Sequence, residues 1–410
     1  MHAPRHQTPW TMLWILVIAQ FLMSVGAYAW GPLAPFLIDS LGISRAEVGF
    51  ITSSMYVVAT VIAIPGGILV DRFGSYRTLI VCLVFSCIPF LLMGFMKSYA
   101  TLLALAAVSG VGYGLINQTS TRGLMNWFPP QKRATVMGIK QTGVSLGAAL
   151  AAVIFPISSL HLAWPLSLAG TGIALAIITL VAAIYYRDQP DKPEESTTST
   201  TLPPKHTNPV KLVWQNKPLL IVIFIFPFLA FAQISITSFL LLFLTESHNM
   251  SLVGASACLT ITLISGTLGR LIWGTLADRV FNNDILKACI LLSIGGCIAA
   301  AAITYLPTGT PISFFYIISA IAGFTLIGWN AALMALVAEL AGLENVGSVM
   351  GVAITIGWTG IFVAPPIFGF IADTAGYTWS WLLVLCCAIV SLAGFVFINF
   401  NQPSNHLKRI

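Results

Sequence analysis

The sequence predicts an all-α membrane protein of twelve transmembrane helices, arranged as two pseudo-symmetric six-helix bundles. The first observation is composition: 57% of the 410 residues are hydrophobic, only 8% are charged, and the mean hydropathy is +0.91. These values lie far outside the range of water-soluble domains. The second is that apolar stretches of roughly 20 residues, the length that crosses a hydrocarbon core, recur along the whole chain. The third is a weak internal repeat between the two halves.

Twelve predicted spans, numbered in chain order, account for these stretches. Those of the first half are Trp10–Ser40, Glu47–Val70, Thr78–Met96, Ala100–Asn126, Ala134–Ser158 and Trp164–Tyr186. Those of the second half are Pro218–Thr245, Leu252–Ala277, Ile285–Tyr305, Ser313–Ala341, Gly347–Ile371 and Trp379–Asn399. The N-terminus lacks a basic region followed by a short apolar core and a cleavage site. Span 1 is therefore expected to be retained as a helix.

A polar segment, residues 187–217, divides the chain almost in the middle. It contains EESTTSTTLPPKHTNP, which is rich in Ser, Thr and Pro and unable to bury apolar surface. We expect a mobile cytoplasmic linker here, between an N-terminal bundle over residues 1–186 and a C-terminal bundle over residues 218–410.

The internal repeat relates span 2 to span 8 and span 5 to span 11. Span 2 ends in GILVDRFGSYR and span 8 in GTLADRVFNND, which places Asp71 and Asp278 at equivalent positions. The tripeptide VMG occurs at 136–138 and again at 349–351. Such offsets are expected for two parallel six-helix repeats.

The distribution of lysine and arginine predicts orientation, because segments rich in them stay cytoplasmic. With both termini inside, only Arg45 and Lys97 lie outside, and the remaining loop cations are cytoplasmic. We expect a multi-pass protein of the cell inner membrane with both termini cytoplasmic. Cytoplasmic loops that face the anionic lipid of the bilayer account for the pI near 9.0 without any nucleic-acid partner.

The loop between spans 2 and 3 resembles the signature of the major facilitator superfamily. Its pattern consists of Gly67, Asp71, Arg72, Gly74 and Arg77. The stretch WFPPQKRATVMGIKQTG, which enters span 5, is similar to the corresponding loop of many bacterial members. The resemblance covers essentially the whole chain, although Ser75 stands where the family usually has a further basic residue. Membership would imply alternating access, in which the two halves rock about a central cavity.

The signature charges are expected to form a cytoplasmic gate. Asp71 lies at a helix end beside Arg72 and Arg77, where an ion pair or a helix-terminus contact can hold neighbouring helices in one state. Asp278 and Arg279 are its counterparts in the second half. The alternative is a solvated loop whose charges only fix the topology.

Three cations fall inside the predicted spans: Arg122 in span 4, Lys140 in span 5 and Arg270 in span 8. Carboxylates, including Asp39 and Glu339, fall in loops or near span ends. Ionisable groups inside a membrane are costly and mark functional sites by default. A buried cation needs a mobile anion, water or backbone carbonyls as its partner. The simplest partner is an anionic substrate.

Lys140 and Arg270 are predicted to lie at similar heights, about 10 and 12 Å from the cytoplasmic ends of their helices. The family resemblance implies that spans 5 and 8 are neighbours across the boundary between the halves, so that one anion could bridge both cations. Arginine offers a planar fork that matches a carboxylate, and lysine offers a compact point charge. The span 8 segment GRLIWGTLADR also resembles organic-anion carriers of the superfamily that hold substrate with an arginine at a similar height.

Each cation also has an alternative role. Arg270 could be a structural cation bonded to carbonyls, and Lys140 could extend to the cytoplasmic surface. Arg122 could do the same or pair with a gate carboxylate. Three polar side chains complete the predicted substrate site, with bridging between helices as their alternative role: Tyr28, Asn117 and Asn330.

The motifs absent from the sequence exclude several classes of function. There is no Walker loop, nucleotide fingerprint, set of paired metal ligands or nucleophile triad, so we expect neither an enzyme nor an ATP-driven pump, and no cofactor or metal. No carboxylate or histidine lies well inside a span. This favours exchange or facilitated passage over proton symport and leaves a co-transported or exchanged ion open.

The sequence predicts a monomeric secondary transporter of a small organic anion, such as a carboxylate metabolite. A carrier of a larger anionic metabolite or siderophore satisfies the same charges. A drug or metabolite efflux pump is a further alternative, although export of cations would favour carboxylates in the cavity. A transport-inactive receptor would be expected to carry an added soluble domain.

Overall fold

The computed structural model describes residues 8–188, 209–281, 284–342 and 345–401. Within these ranges the secondary structure consists of fourteen α-helices and one π-helical turn, with no β-strand. Twelve helical stretches of the described residues are long and apolar enough to cross a membrane. The predicted all-α membrane fold class is confirmed.

The helices belong to two compact units. Unit 1 comprises Met1–Ile43 and Phe50–Ser199, and unit 2 comprises Ser44–Gly49 and Thr200–Ile410. The helices of unit 1 are α1 (Pro9–Ala27), α2 (Trp30–Leu41), most of α3 (Arg45–Met93), α4 (Tyr99–Trp127), α5 (Pro130–His161) and α6 (Trp164–Tyr185). Those of unit 2 are α7 (Pro209–Gln215), α8 (Lys217–Ser247), α9 (Leu252–Arg279), α10 (Ile285–Tyr305), α11 (Ile312–Ala322), α12 (Trp329–Ala341), α13 (Val346–Thr374) and α14 (Tyr377–Asn401).

Span 1, predicted as one helix, is broken between α1 and α2. Helix α1 ends at Ala27, and Tyr28 leaves the helical conformation with φ −95° and ψ 14°. Pro32 explains the break, because a proline ring clashes with the carbonyl four residues earlier, which here belongs to Tyr28. The break places the Tyr28 side chain near the middle of span 1.

Spans 2 and 3, predicted with a loop between them, are two helices that meet at a kink at Gly74. In α3 only Gly74 departs from helical geometry, with φ 78° and ψ 166°. A positive φ is readily adopted by glycine alone, so this residue makes the turn and its neighbours remain helical. The signature charges therefore lie on helix ends that meet at a single bend.

Unit 2 begins with a short helix inside the segment predicted as a linker. Helix α7 starts at Pro209, a residue suited to the first helical turn, and its Val213 is buried in the unit 2 core. The segment predicted as a mobile linker therefore contains, over these residues, a short helix whose apolar side chains pack on unit 2. Residues 189–208 of the predicted linker lie outside the described residues.

Several helices start where side-chain caps satisfy the first free N–H groups. Asn216 accepts from the Leu219 N–H at the start of α8, and Ser251 accepts from the Gly254 N–H at the start of α9.

Large apolar side chains such as Phe397, which is 58% exposed, point outward along the helices. Such exposure is suited to lipid as the surrounding solvent.

Candidate functional site

Lys140 is a buried cation held by neutral groups. It lies on α5, its side chain is turned inward, and only 3% of the residue is exposed. Its Nζ donates to Asn117 Oδ1 at 2.8 Å, to Thr121 Oγ1 at 3.1 Å and to the Asn117 carbonyl at 3.4 Å. Among the described residues no carboxylate pairs with it. The ammonium therefore has hydrogen-bond partners but no protein counter-ion in the described part of the chain.

The two partners of Lys140 both lie on α4, one turn apart. Asn117 is exposed and Thr121 is half-buried, whereas the lysine between them is buried. The lysine side chain therefore runs from α5 toward α4 instead of extending along α5 to the surface. Its charged end lies beside the exposed Asn117 amide.

Arg122 is paired with the signature carboxylate. Its Nη1 forms an ion pair with Asp71 Oδ1, joining α4 to the end of the first half of α3. The Asp71 side chain is 69% exposed and that of Arg122 33%, so solvent screens the pair. Of the contacts considered for Arg122, the structure shows the pair with the Asp71 carboxylate. The partner of Asp71 is on another helix and not the adjacent Arg72 or Arg77.

The bend at Gly74 is held by a residue that the sequence did not single out. Both carboxylate oxygens of Asp188 accept from the backbone N–H of Tyr76, at 3.0 and 2.9 Å. The guanidinium of Arg187 lies 5.1 Å from the centre of the Tyr76 ring. The end of α6 thus fixes the start of the second half of α3. The only signal in the sequence was an acidic residue directly after an apolar span.

The other residues predicted to form a gate have fewer described contacts. Arg72 and Arg77 are exposed, and the Arg72 guanidinium lies 5.5 Å from the centre of the Phe73 ring. The side chains of Asp278 and Arg279, at the end of α9, lie outside the described residues.

Arg270 is the second embedded cation, on α9 in unit 2. It is half-buried, and its Nε is buried with no hydrogen-bond partner among the described residues. The described carboxylates form no ion pair with it. A guanidinium can donate five hydrogen bonds in a planar fork, so this side chain has capacity for a bidentate acceptor.

A π-helical turn precedes Asn330. Residues Gly323–Ile327 adopt it between α11 and α12, with the Gly328 N–H bonded to the Gly323 carbonyl at 3.0 Å. The indole of Trp273 on α9 donates to the Phe324 carbonyl at 2.8 Å, which fixes the turn against the helix that carries Arg270. Asn330 is half-buried at the start of α12. Such turns often occur at functional sites, and no pattern in the sequence indicated this one.

Unit 2 also contains an ionic cluster around Arg45. The Arg45 Nε and Nη2 donate to Glu246 Oε2 at 2.9 and 2.6 Å, and its Nη1 donates to Asp373 Oδ1 at 3.1 Å. The Tyr377 hydroxyl donates to the same Glu246 oxygen at 2.8 Å. The cluster joins the first turn of α3 to the ends of α8 and α13. Sequence reasoning used Arg45 only for topology.

The first turn of α3 is fitted closely to unit 2. Asp373 Oδ2 accepts from the Ala46 N–H at 2.9 Å, so a carboxylate from α13 caps the N-terminus of α3. Gly49 and Gly369 let the two backbones approach, since a Cβ on either would collide with the main chain of the partner helix. Residues 44–49 are thus held by charge, capping and close packing together.

Tyr28 lies in the break between α1 and α2 and is half-buried. Its side chain lies beside that of Tyr56 on α3. The structure therefore brings Asn117 to Lys140 but places Tyr28 in a separate group of tyrosines within the same unit.

A twelve-span helical bundle with unpaired cations in its described interior is typical of a membrane transporter. The family model for the Major Facilitator Superfamily matches residues 16–365. A hexuronate transporter of Bacillus subtilis (strain 168) is 27% identical over 397 residues, which cover 90% of this chain and 89% of that protein. A probable nitrate/nitrite transporter of Mycobacterium tuberculosis (strain ATCC 25618 / H37Rv) is 28% identical over 407 residues, covering 95% of this chain and 96% of the other.

A similar solved fold is that of a bacterial homolog to the human lysosomal transporter Spinster, in an inward-facing and unoccupied conformation. Its TM-score is 0.80 at 15% identity, with 96% of this chain and 97% of that chain covered. The chain belongs to the Major Facilitator Superfamily, and it is a multi-pass membrane transporter, not an enzyme.

Proposed function

We propose that this transporter carries a small organic anion by alternating access, and that Lys140 and Arg270 bind the negative charge of the substrate. The observation that carries the proposal is the state of Lys140. It is 3% exposed, its three acceptors are neutral, and no described carboxylate balances its charge. A transported anion would supply the missing charge.

The energetics of burial support this assignment. Removing an ammonium from water costs several kcal/mol, and only part of that cost returns through hydrogen bonds to neutral groups. A purely structural role could be filled by an apolar side chain at lower cost. A cation kept at such a position is best explained by a ligand of opposite charge, which an embedded charge indicates by default.

Arg270 supplies the second cation of the proposed mechanism, from unit 2. Its Nε has no described partner, and its fork matches the two oxygens of a carboxylate. We propose that both cations contact the substrate during the transport cycle, Lys140 from unit 1 and Arg270 from unit 2. Asn117 takes part by holding the Lys140 ammonium, and Asn330 is a proposed polar contact beside the π-helical turn.

The named substrates of the similar proteins support the same chemistry. A hexuronate and a nitrate are both anions, one an organic carboxylate with hydroxyls and the other an inorganic oxyanion. A binding site for an anion would be common to these carriers and this chain. A small organic anion is the class that we propose.

The Asp71–Arg122 pair is assigned to gating and not to substrate binding, because each charge has the other as its partner. We propose that Arg72 and Arg77 act with it at the cytoplasmic end, with Asp278 and Arg279 as the second-half counterparts. The proposed location is the cell inner membrane with both termini cytoplasmic, on the grounds of the lysine and arginine asymmetry. Reporter fusions at each terminus would test this orientation.

The proposal is tested by ligand-induced thermal stabilisation of the full-length purified protein. A panel of carboxylates, inorganic oxyanions, neutral sugars and cationic drugs would be added to wild type, Lys140→Ala and Arg270→Ala. A ligand at 100 times its Kd stabilises the folded state by about 2.7 kcal/mol. Lys132→Ala is the matched control, since it removes an exposed charge from the same helix as Lys140.

Organic anions should raise the apparent Tm of wild type and of Lys132→Ala, and should have little effect on Lys140→Ala or Arg270→Ala. Proteoliposomes that contain wild type or Lys132→Ala should take up the best anion faster than those that contain Lys140→Ala or Arg270→Ala. Equal stabilisation of all four proteins by anions, or stabilisation by cationic and neutral compounds alone, would refute the anion assignment.

A further inference from the structure

Three tyrosine side chains lie together inside unit 1. Tyr56 on α3 is buried, with 5% of the residue exposed, and it lies beside Tyr28 and Tyr113. The rings of Tyr56 and Tyr113 pack edge to face, with centroids 5.7 Å apart. Neither anion binding at Lys140 nor the gate pair uses this tyrosine cluster, which consists of Tyr28, Tyr56 and Tyr113.

Helical register places Tyr28 and Tyr113 at one depth. The hydroxyl of Ser120 donates to Gln20 Oε1 at 3.2 Å, which joins α4 to α1. Tyr28 follows Gln20 by eight residues and Tyr113 precedes Ser120 by seven, or about 12 and 10 Å along the two helices. Because spans 1 and 4 cross the membrane in opposite directions, both displacements point the same way.

The cluster also shares a helix face with the partners of Lys140. Tyr113, Asn117 and Thr121 are spaced by four residues along α4, so their side chains lie on one side of it. The Lys140 ammonium contacts the second and third of these residues. Tyr113 thus lies roughly one to two helical turns, about 6 to 12 Å along the α4 axis, from the two residues that hold the buried charge.

We propose that the tyrosine cluster determines specificity by hydrogen-bonding the hydroxyl groups of a hydroxylated carboxylate whose charged end binds at Lys140. This rests on the proposed function and narrows its substrate class to sugar acids. A six-carbon sugar acid carries its carboxylate and its far hydroxyls at a separation of this order. A compact oxyanion such as nitrate reaches one end of the site only.

The chemistry of the phenol group fits this role. A tyrosine hydroxyl offers one donor and two acceptor sites, so a hydrogen bond to a neighbouring tyrosine leaves capacity for a ligand. Tyr28 and Tyr113 are half-buried and can contact substrate, whereas Tyr56 is buried and holds the other two in place. Tyr56 is therefore a positioning residue. Sites built to bind a hydroxyl discriminate strongly against the analogue that lacks it.

The test compares two carboxylates of similar size on the full-length purified protein. D-Glucuronate carries ring hydroxyls, and cyclohexanecarboxylate carries the same charge on a six-membered ring without them. Titration calorimetry would measure the Kd of each, and of nitrate, for wild type, Tyr28→Phe and Tyr113→Phe. These changes keep the ring and its packing. Tyr185→Phe is the control, since it removes an exposed hydroxyl elsewhere in unit 1.

Wild type should bind glucuronate at least about 10-fold more tightly than cyclohexanecarboxylate, as expected when several hydroxyls are recognised. Tyr28→Phe and Tyr113→Phe should each weaken glucuronate binding roughly 3- to 10-fold, the range of one lost neutral hydrogen bond. Cyclohexanecarboxylate binding should be unchanged in both, and Tyr185→Phe should match wild type.

Two results would overturn the tyrosine assignment and leave the anion proposal intact. One is that wild type binds both carboxylates, or nitrate alone, with no preference for hydroxyls. The other is that the two tyrosine variants weaken both carboxylates equally, which would show a packing role. Failure of every anion to bind wild type would remove the proposed function together with this inference.

Discussion

Replacing Lys140 with methionine should stabilise the ligand-free protein while abolishing anion binding. Methionine has a similar length and no charge, so it fills the space between α5 and α4 without an ammonium in the interior. Replacement of well-packed buried charges by apolar side chains is often stabilising, by about 1 to 4 kcal/mol. If Lys140 is kept for its ligand, the substitution removes a cost that the empty protein bears.

The local geometry sets the size of the effect. The substitution removes three hydrogen bonds, but Asn117 is exposed and its freed amide can bond water. The Thr121 hydroxyl can turn to the carbonyl four residues earlier, as the Thr119 hydroxyl does with Leu115 at 2.8 Å. Little polar surface is therefore left without a partner. We expect a gain of about 1 to 3 kcal/mol in the free energy of unfolding.

The assay is thermal or denaturant unfolding of purified protein in detergent, without added anion and then with the best anion. Lys132→Met, which changes an exposed lysine of the same helix, should stay within about 0.5 kcal/mol of wild type. Lys140→Met should melt above wild type without ligand and show no response to the anion. A variant that melts lower and still responds to the anion would show that Lys140 is structural.

Three further predictions concern the contacts around the bundle. Arg45→Gln and Glu246→Gln should show a coupling free energy of about 1 kcal/mol in a double-mutant cycle, because both side chains are near 30% exposed. The coupling should shrink in 1 M salt. Purely additive effects of the two substitutions would contradict the ion pair. Asp188→Ala should cost about 1 kcal/mol of stability by removing the acceptor of the Tyr76 N–H, with an unchanged Tm as the contrary result. His248 lies between spans, and burial lowers its pKa in the folded protein. As the pH falls through about 6.5, the unfolded chain therefore takes up a proton before the folded one does. The free energy of unfolding should decline below that pH. His248→Phe should flatten that part of the Tm–pH curve.

Helix positions could be predicted from the sequence because lipid imposes a strong length and composition rule. Predicted span 9, Ile285–Tyr305, coincides with α10, and span 4, Ala100–Asn126, lies within one residue of α4 at each end. The deviations arise where one residue changes the backbone locally. Pro32 breaks the first span, and Gly74 confines a predicted loop to a single bend.

The contacts within the candidate site were less accessible to sequence reasoning. Embedded cations stand out because so few charges occur in the spans, so Lys140 and Arg270 could be named directly. Their partners could not be named, since Asn117 is 23 residues from Lys140 in the chain and only the fold brings them together. The Arg122–Asp71 pair spans 51 residues, and a periodic pattern carries no information on such pairings.

The grouping of residues 44–49 with unit 2 has a consequence for attempts to divide the protein into fragments. A fragment covering 200–410 would lack these six residues. Glu246 and Asp373 would then lose Arg45 as their cationic partner, and Asp373 would lose the Ala46 N–H that it accepts from. The close-packing surface at Gly369 would also lose the chain that covers it. Such a fragment should be prone to misfolding by itself, and co-expression with a fragment covering 1–199 should rescue it. Arg45→Ala in the 1–199 fragment should weaken that rescue.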